Sequence, residues 1–295
     1  MRRIAILNQK GGVGKTTTAV NLSAALAASG RRVTIVDLDP QAHATLHLGV
    51  EPGRDDRSIY DVLVDDTPLS AVRRQIEENL WLVGSHIDLA AVELELAGVV
   101  GREVILRDKL ADDDQAAADS NDRATDDFLL VDCPPSLGIL TINALAAVDE
   151  VFIPLQPHFL ALHGLSKLLE TIELVARRLN PRLTLGGIIM CMFDTSTRLA
   201  GEVSRDVDVF LKQSRDRRVP WSGAQVFETR IRRNIRLAEA PSFGQSIFRY
   251  APTSHGADDY RQLAAEVLAA SGASGSGKDV VPLPASGKPL RARSA

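Results

Sequence analysis

The segment Lys10-Gly11-Gly12-Val13-Gly14-Lys15-Thr16-Thr17-Thr18 follows directly on the apolar run Ile4-Ala5-Ile6-Leu7. A strand that empties into a glycine-rich loop and then into an alanine- and leucine-rich helical run allows few folds. Glycines let backbone N–H groups converge on an anion, and the helix that follows adds the positive end of its dipole. The spacing predicts a nucleoside triphosphate site, with Lys15 at the β- and γ-phosphates and the Thr16 hydroxyl on Mg²⁺. One departure from the usual spacing is plain. The glycine expected five residues before Gly14 is Gln9, and an additional lysine, Lys10, opens the loop.

Triphosphate chemistry needs acids for the metal and for the attacking water, and two segments supply them. Arg32-Val33-Thr34-Ile35-Val36-Asp37-Leu38-Asp39-Pro40-Gln41 and Phe128-Leu129-Leu130-Val131-Asp132-Cys133-Pro134-Pro135-Ser136 are both apolar strands that end in aspartate. In open parallel sheets ligands sit beyond the carboxyl ends of the strands, so the loop and these acids converge on one crevice. Asp132 fits the strand-end acid that holds Mg²⁺. Asp37 is a further candidate ligand, on the same side as Asp39 if the strand continues, and Asp39 at the tip is the candidate for positioning water.

These segments together resemble the deviant-Walker-A ATPases, P-loop NTPases of the SIMIBI class, and most of all the ParA/Soj partitioning ATPases. The resemblance continues through Asn234-Ile235-Arg236-Leu237-Ala238-Glu239-Ala240-Pro241-Ser242 and Gly256-Ala257-Asp258-Asp259-Tyr260, so it spans about residues 1–270. It implies ATP and Mg²⁺ as cofactors and a homodimer that sandwiches ATP. Gly11, Gly12, Val13, Gly14, Lys15, Thr16 and Thr17 would cradle the nucleotide, and Asn234 would approach the base. Lys10 would reach the phosphates held by the second copy, doing in trans what an arginine finger does. It further implies nonspecific DNA binding, slow hydrolysis stimulated by a ParB-like partner, and chromosome or plasmid segregation by a cytoplasmic, nucleoid-associated protein.

Strand-like runs at Val33–Val36, Leu80–Val83, Phe128–Val131, Val151–Pro154, Leu185–Met192 and Gln225–Phe227 alternate with helical patterns at Val92–Leu110, Leu165–Leu179, Glu202–Gln213 and Ala257–Ala270. That alternation predicts an α/β fold: a doubly wound, mostly parallel sheet with helices on both faces, in a single domain of residues 1–270. With 295 residues, 45% of them apolar, the chain can bury a large core. The two cysteines, Cys133 and Cys191, lie in strand-like runs and read as buried and inert. Residues 112–127 carry seven acids against Arg123 and few apolar side chains, which predicts a mobile acidic surface loop. Residues 271–295, rich in Gly, Ser and Pro, predict a disordered tail.

The net charge of −4 argues against a general nucleic-acid binder, but the charge is unevenly placed. Between Arg198 and Arg249 eleven bases face six acids, and Thr229-Arg230-Ile231-Arg232-Arg233-Asn234-Ile235-Arg236 is the densest part. Such a stripe supplies phosphate contacts that position a duplex without reading its sequence. Arg198, Arg230, Arg233 and Arg236 are the candidates. The family has proline where this chain has Arg232, which leaves the role of Arg232 open.

A relative that positions a protein complex shares every motif above and differs only in cargo, so that alternative stays open. Other readings fare worse. A MinD-like membrane-associated ATPase ends in an amphipathic basic helix, whereas the last 25 residues here hold four glycines and three prolines, so no stable membrane insertion is expected. A metal-cluster ATPase needs cysteines shared across a dimer, and Cys133 and Cys191 do not provide that set. A sequence-reading helix-turn-helix has no room ahead of the first strand. His43 and His47 lie four apart but lack the glutamate and cysteines of a metal motif.

Overall fold

The computed structural model describes residues 1–53, 56–119, 125–158 and 161–272. In chain order the elements are β1 (Arg2–Ile6), α1 (Lys15–Ala28), β2 (Val33–Asp37), α2 (His43–His47), α3 (Ile59–Val64), α4 (Leu69–Val72), β3 (Arg73–Glu77), β4 (Leu80–Val83), α5 (Val92–Glu95), α6 (Ile105–Asp119), β5 (Phe128–Asp132) and α7 (Ile139–Ala147). They continue with β6 (Glu150–Leu155), α8 (Ala161–Arg178), β7 (Thr184–Phe193), α9 (Arg198–Lys212), β8 (Gln225–Arg232), α10 (Ile235–Glu239), α11 (Ile247–Tyr250) and α12 (His255–Gly272).

Among the described residues eight strands form one sheet, in the order β3-β4-β2-β5-β1-β6-β7-β8. Every pairing is parallel except β3 with β4 at the edge. The fold is therefore the doubly wound α/β architecture that the alternation predicts. Side chains of successive strand residues point to opposite faces, and both faces are covered. In β1 and the residue after it, Ile4 and Ile6 join the core under α1 and α12, whereas Ala5 and Leu7 join the core under α6 to α9. In β5, Phe128 and Leu130 go with the first set and Leu129 and Val131 with the second. This double burial is why the central strands read as unbroken apolar runs.

Several expectations need correction. The segment Val92–Leu110 is not one helix: α5 ends at Glu95, and α6 begins at Ile105 after a turn in which Gly101 takes φ +79°. Residues 112–119 are not a loop but the second half of α6, because Leu106 and Leu110 bury on one side and Leu106 N–H is held by Asn143 Oδ1 at 3.0 Å. The acids of this region are tied to neighbours: Asp114 to Arg3 at 2.6 Å, Asp126 to Arg73 at 2.5 Å and to the Thr34 hydroxyl at 2.7 Å, and Asp127 to Arg32 N–H at 2.9 Å. Residues 120–124 lie outside the described residues. β8 runs on from Phe227 to Arg232, held by its pairing with β7. The edge strand β3 has no apolar run to announce it. α12 extends to Gly272, two residues beyond the expected boundary, and the remainder of the tail lies outside the described residues.

Candidate nucleotide site

The loop after β1 lies at the centre of the sheet, with β5 on one side and β6 on the other. Asn8 pins its base, donating to Pro154 O at 2.7 Å while its Oδ1 accepts Lys10 N–H at 3.0 Å. Gly14 precedes α1 with φ +94°, a conformation that strains any residue with a Cβ. It provides no side-chain cap, so the first-turn N–H groups of α1 are left for an external anion. The far side of α1 is anchored where the Thr18 hydroxyl meets Tyr260 OH at 3.1 Å, and Tyr260 belongs to α12.

Lys15 is 7% exposed, and its ammonium donates to Lys10 O at 3.3 Å. Burial lowers its pKa, and the charges of Asp132 and Asp39 oppose that shift. Lys10 is exposed at the rim and forms no ion pair with a described residue. The loop and the start of α1 open into a cleft of about 680 Å³, within the range of small-molecule sites. Gly11, Gly12, Gly14, Lys15, Thr16 and Thr17 form its floor; Asp39 and Gln41 flank it, and His43, Leu46, His47, Met192, Pro241 and Ser242 close it further along. Met192 has φ +50°, an uncommon conformation for a residue with a side chain, at the edge of the cleft.

The acids take different parts. Asp132, at the carboxyl end of β5, is fully buried, and neither carboxylate oxygen has a hydrogen bond of regular geometry. Its pKa is raised well above the usual carboxylate range, first by burial and then by Asp37, while the nearby Thr16 hydroxyl and Lys15 act in the opposite sense. A buried, unsatisfied carboxylate beside a threonine hydroxyl is a hard-oxygen pair of the kind Mg²⁺ takes, so these residues fit that ion.

Asp37 does not share that character. Its Oδ2 accepts Thr45 N–H at 2.9 Å and the Thr45 hydroxyl at 2.8 Å, and its Oδ1 accepts Asp39 N–H at 3.1 Å. Burial raises its pKa to about 6 despite those bonds. Asp37 thus shapes the loop that carries Asp39, with both carboxylate oxygens engaged by neighbours on that loop and α2. β2 ends at Asp37, so Asp39 is placed by the loop and not by strand alternation. Its carboxylate accepts Gln41 N–H at 3.0 Å, and its carbonyl accepts the Ser85 hydroxyl at 2.7 Å.

Asn234 accepts Arg236 N–H at 2.8 Å as the cap of α10 and does not line the cleft, whereas Pro241 and Ser242 of the same motif do. Thr45 was invisible to sequence reasoning because its partner lies eight residues back. Cys133 and Cys191 are buried; burial pushes the Cys133 thiol pKa up strongly and that of Cys191 to about 12.

The basic residues separate into two groups. Arg230 lies along β8, donating to Phe227 O and to Ser204 Oγ, the latter at 3.2 Å, with its guanidinium 5.8 Å from the Phe193 ring centre. Arg232 is clamped on Asp259 through three hydrogen bonds of 2.5 to 3.1 Å. Arg198, at the start of α9, and Arg233 are exposed, and Arg236 is exposed but paired with Glu239 at 2.8 Å. Of the four expected DNA-binding arginines, Arg230 is thus the one that the fold occupies internally.

Fold and loop together define a P-loop NTPase with a lysine at each end of the loop. A family model described as an AAA domain matches residues 1–185. The chain is 45% identical over 267 residues to the sporulation initiation inhibitor protein Soj of Bacillus subtilis, covering 90% of this chain and 98% of that one. It is 43% identical to the chromosome partitioning protein ParA of Myxococcus xanthus, covering 90% and 88%. The chain belongs to the ParA/Soj family of chromosome-partitioning ATPases. Among solved structures, cobyrinic acid a,c-diamide synthase from Mycobacterium smegmatis with bound ATP analogue and magnesium is 34% identical, with a TM-score of 0.74 over 97% of this chain and all of that one. The cell division ATPase MinD of Pyrococcus furiosus, at 23% identity and TM-score 0.69, shares the fold.

Proposed function

We propose that this protein is an ATP hydrolase of DNA partitioning, in which ATP joins two copies into a dimer that holds DNA without sequence preference. The observation that carries this reading is the placement of Lys15, Thr16 and Asp39 on one cleft at the carboxyl ends of the central strands, with the buried Asp132 beside Thr16 and Lys15. Gly11, Gly12, Val13, Gly14, Thr16 and Thr17 present backbone N–H groups to the phosphates, and Lys15 adds a positive charge already directed into the site. Thr16 and Asp132 would hold Mg²⁺, which when bound neutralises charge on the phosphate oxygens. Asp39 orients the attacking water from a loop held rigid by Asp37, Thr45 and Ser85. Lys10 stands outside the cleft of its own chain, as a side chain serving a second copy must. The dimer then forms only where both triphosphates are present, and hydrolysis releases it.

DNA is held through Arg198, Arg233 and Arg236, the exposed three of the four candidate arginines. A ParB-like partner raises a slow basal rate, and the cycle moves a chromosome or plasmid region. The test is the ATPase rate of the purified protein alone, with DNA, and with DNA plus the ParB-like protein from the same genome. A rate that rises only with both additions supports the reading. A rate indifferent to both overturns it and assigns the enzyme another cargo.

A further inference from the structure

The basic stripe between Arg198 and Arg249 is continuous in the sequence but not in space. α9 has 15 residues, about 22 Å at 1.5 Å per residue, with Arg198 at its start and Lys212 in its last turn. Arg215, Arg217 and Arg218 follow in the turn that leads to β8, so they lie at the amino edge of the sheet, opposite to the nucleotide cleft. α8 also runs back against its parallel strands, and its last turn brings Arg177 and Arg178 to the same edge. We propose that this edge is a second duplex-binding surface, built from Arg177, Arg178, Arg182, Arg215, Arg217 and Arg218.

The two arginine-bearing turns are neighbours, because Leu185 N–H at the start of β7 donates to Pro220 O ahead of β8 at 3.0 Å. All six arginines are exposed. Arg182 approaches Asp149 at 3.6 Å and still leaves 80% of its side chain in solvent. The other five have no ion-pair partner among the described residues. Of the nearby acids, Asp208 is held by Lys212 at 2.6 Å, which leaves Asp216 and Glu173 against the six. The negative end of the α8 dipole accounts for Arg177 and Arg178. It does not account for the four arginines that lie beyond the helix ends.

A polyanion is the partner this charge fits, and guanidinium groups meet phosphates with paired N–H donors. Neither turn exposes a large apolar side chain, since Leu183 and Trp221 are buried, so a bilayer would gain no inserted anchor. The duplex is therefore favoured over a lipid surface. Its choice as occupant rests on the DNA reading given above; the position and charge of the edge do not. Arg198, Arg233 and Arg236 lie at the other end of the sheet, so a chain using both ends would hold two duplexes.

The test removes one end at a time in the full-length protein with ATP and Mg²⁺, and reads duplex binding by anisotropy over a salt series. Arg198→Ala/Arg233→Ala/Arg236→Ala should keep a residual affinity for any duplex. Adding Arg215→Ala/Arg217→Ala/Arg218→Ala should weaken that residue at least about tenfold and make the salt dependence shallower by about two units. The turn itself is held by backbone bonds, Arg215 N–H to Lys212 O at 3.3 Å and Arg217 N–H to Ser214 O at 3.1 Å, which alanine retains. An unchanged residual affinity overturns the second surface, as does a first variant that binds no duplex while the wild type does. A wild type that binds no duplex overturns the DNA reading as well. Vesicles of phosphatidylglycerol separate the sources of phosphate: if Arg215→Ala/Arg217→Ala/Arg218→Ala loses vesicle binding and keeps all duplex binding, the edge serves a lipid surface and the duplex assignment falls.

Discussion

Replacing Asp132 with asparagine should stabilise the nucleotide-free protein and abolish its response to Mg²⁺. The wild-type carboxyl is fully buried, lacks a hydrogen bond of regular geometry and stands beside Asp37. Such a group opposes folding, because burial strips a carboxylate of hydration that the Thr16 hydroxyl and Lys15 only partly replace. Asparagine keeps the shape and removes the charge. Its amide is itself left short of partners, so the net gain is a part of the carboxylate's cost, about 1 to 3 kcal/mol. For a domain of this size each kcal/mol raises the melting temperature by about 2–4 °C. The ligand response runs the other way. Wild-type protein at one hundred times the Kd of its nucleotide should gain about 2.7 kcal/mol, and the Mg²⁺-dependent share of that gain should vanish in the variant. Thermal unfolding at neutral pH, with and without ADP and with and without Mg²⁺, measures all four corners. An apo variant less stable than wild type, or one that retains a Mg²⁺-dependent shift of wild-type size, would refute the argument that Asp132 is a metal ligand kept unsatisfied.

Three further outcomes are expected. Asp37 has its pKa raised from 3.8 to about 6, so the folded protein holds that proton more tightly than the unfolded chain. Its contribution to apo stability is then complete below the unfolded value and lost as pH rises through about 6. Urea unfolding across that window should show a loss that Asp37→Asn flattens, and an Asp37→Asn profile as steep as the wild type's rules this out. Asp39→Ala should retain ATP binding and accumulate as an ATP-loaded dimer, whereas Lys15→Ala should not bind nucleotide; light scattering that finds only monomer in the Asp39 variant with ATP contradicts the role of Asp39. Arg233→Ala should weaken DNA binding on every sequence and make the salt dependence shallower by about one unit. Arg236→Ala should act in the same direction but less, since Glu239 already holds that guanidinium. A loss confined to one DNA sequence, seen by anisotropy over a salt series, would sink the phosphate-contact reading.

The sequence by itself determined the loop at Lys10–Thr18, the strand ends that bring Asp39 and Asp132 to it, and the two-faced burial of the central strands. Those features rest on neighbours along the chain: glycine's backbone freedom, the run from strand to helix, and side chains that alternate between faces. It misjudged residues 112–119, because composition counts charge and cannot see Leu106 and Leu110 drawing α6 against the core. It also could not separate Arg230 and Arg232, whose charges Ser204 and Asp259 engage, from Arg233, which stays at the surface. The internal hydrogen bonds of Asp37 were equally hidden, as was the lining of the cleft by Pro241 and Ser242. Only the tertiary structure decided these, because each depends on which groups from distant segments meet at hydrogen-bonding distance, and the local spacing of residues carries no record of that.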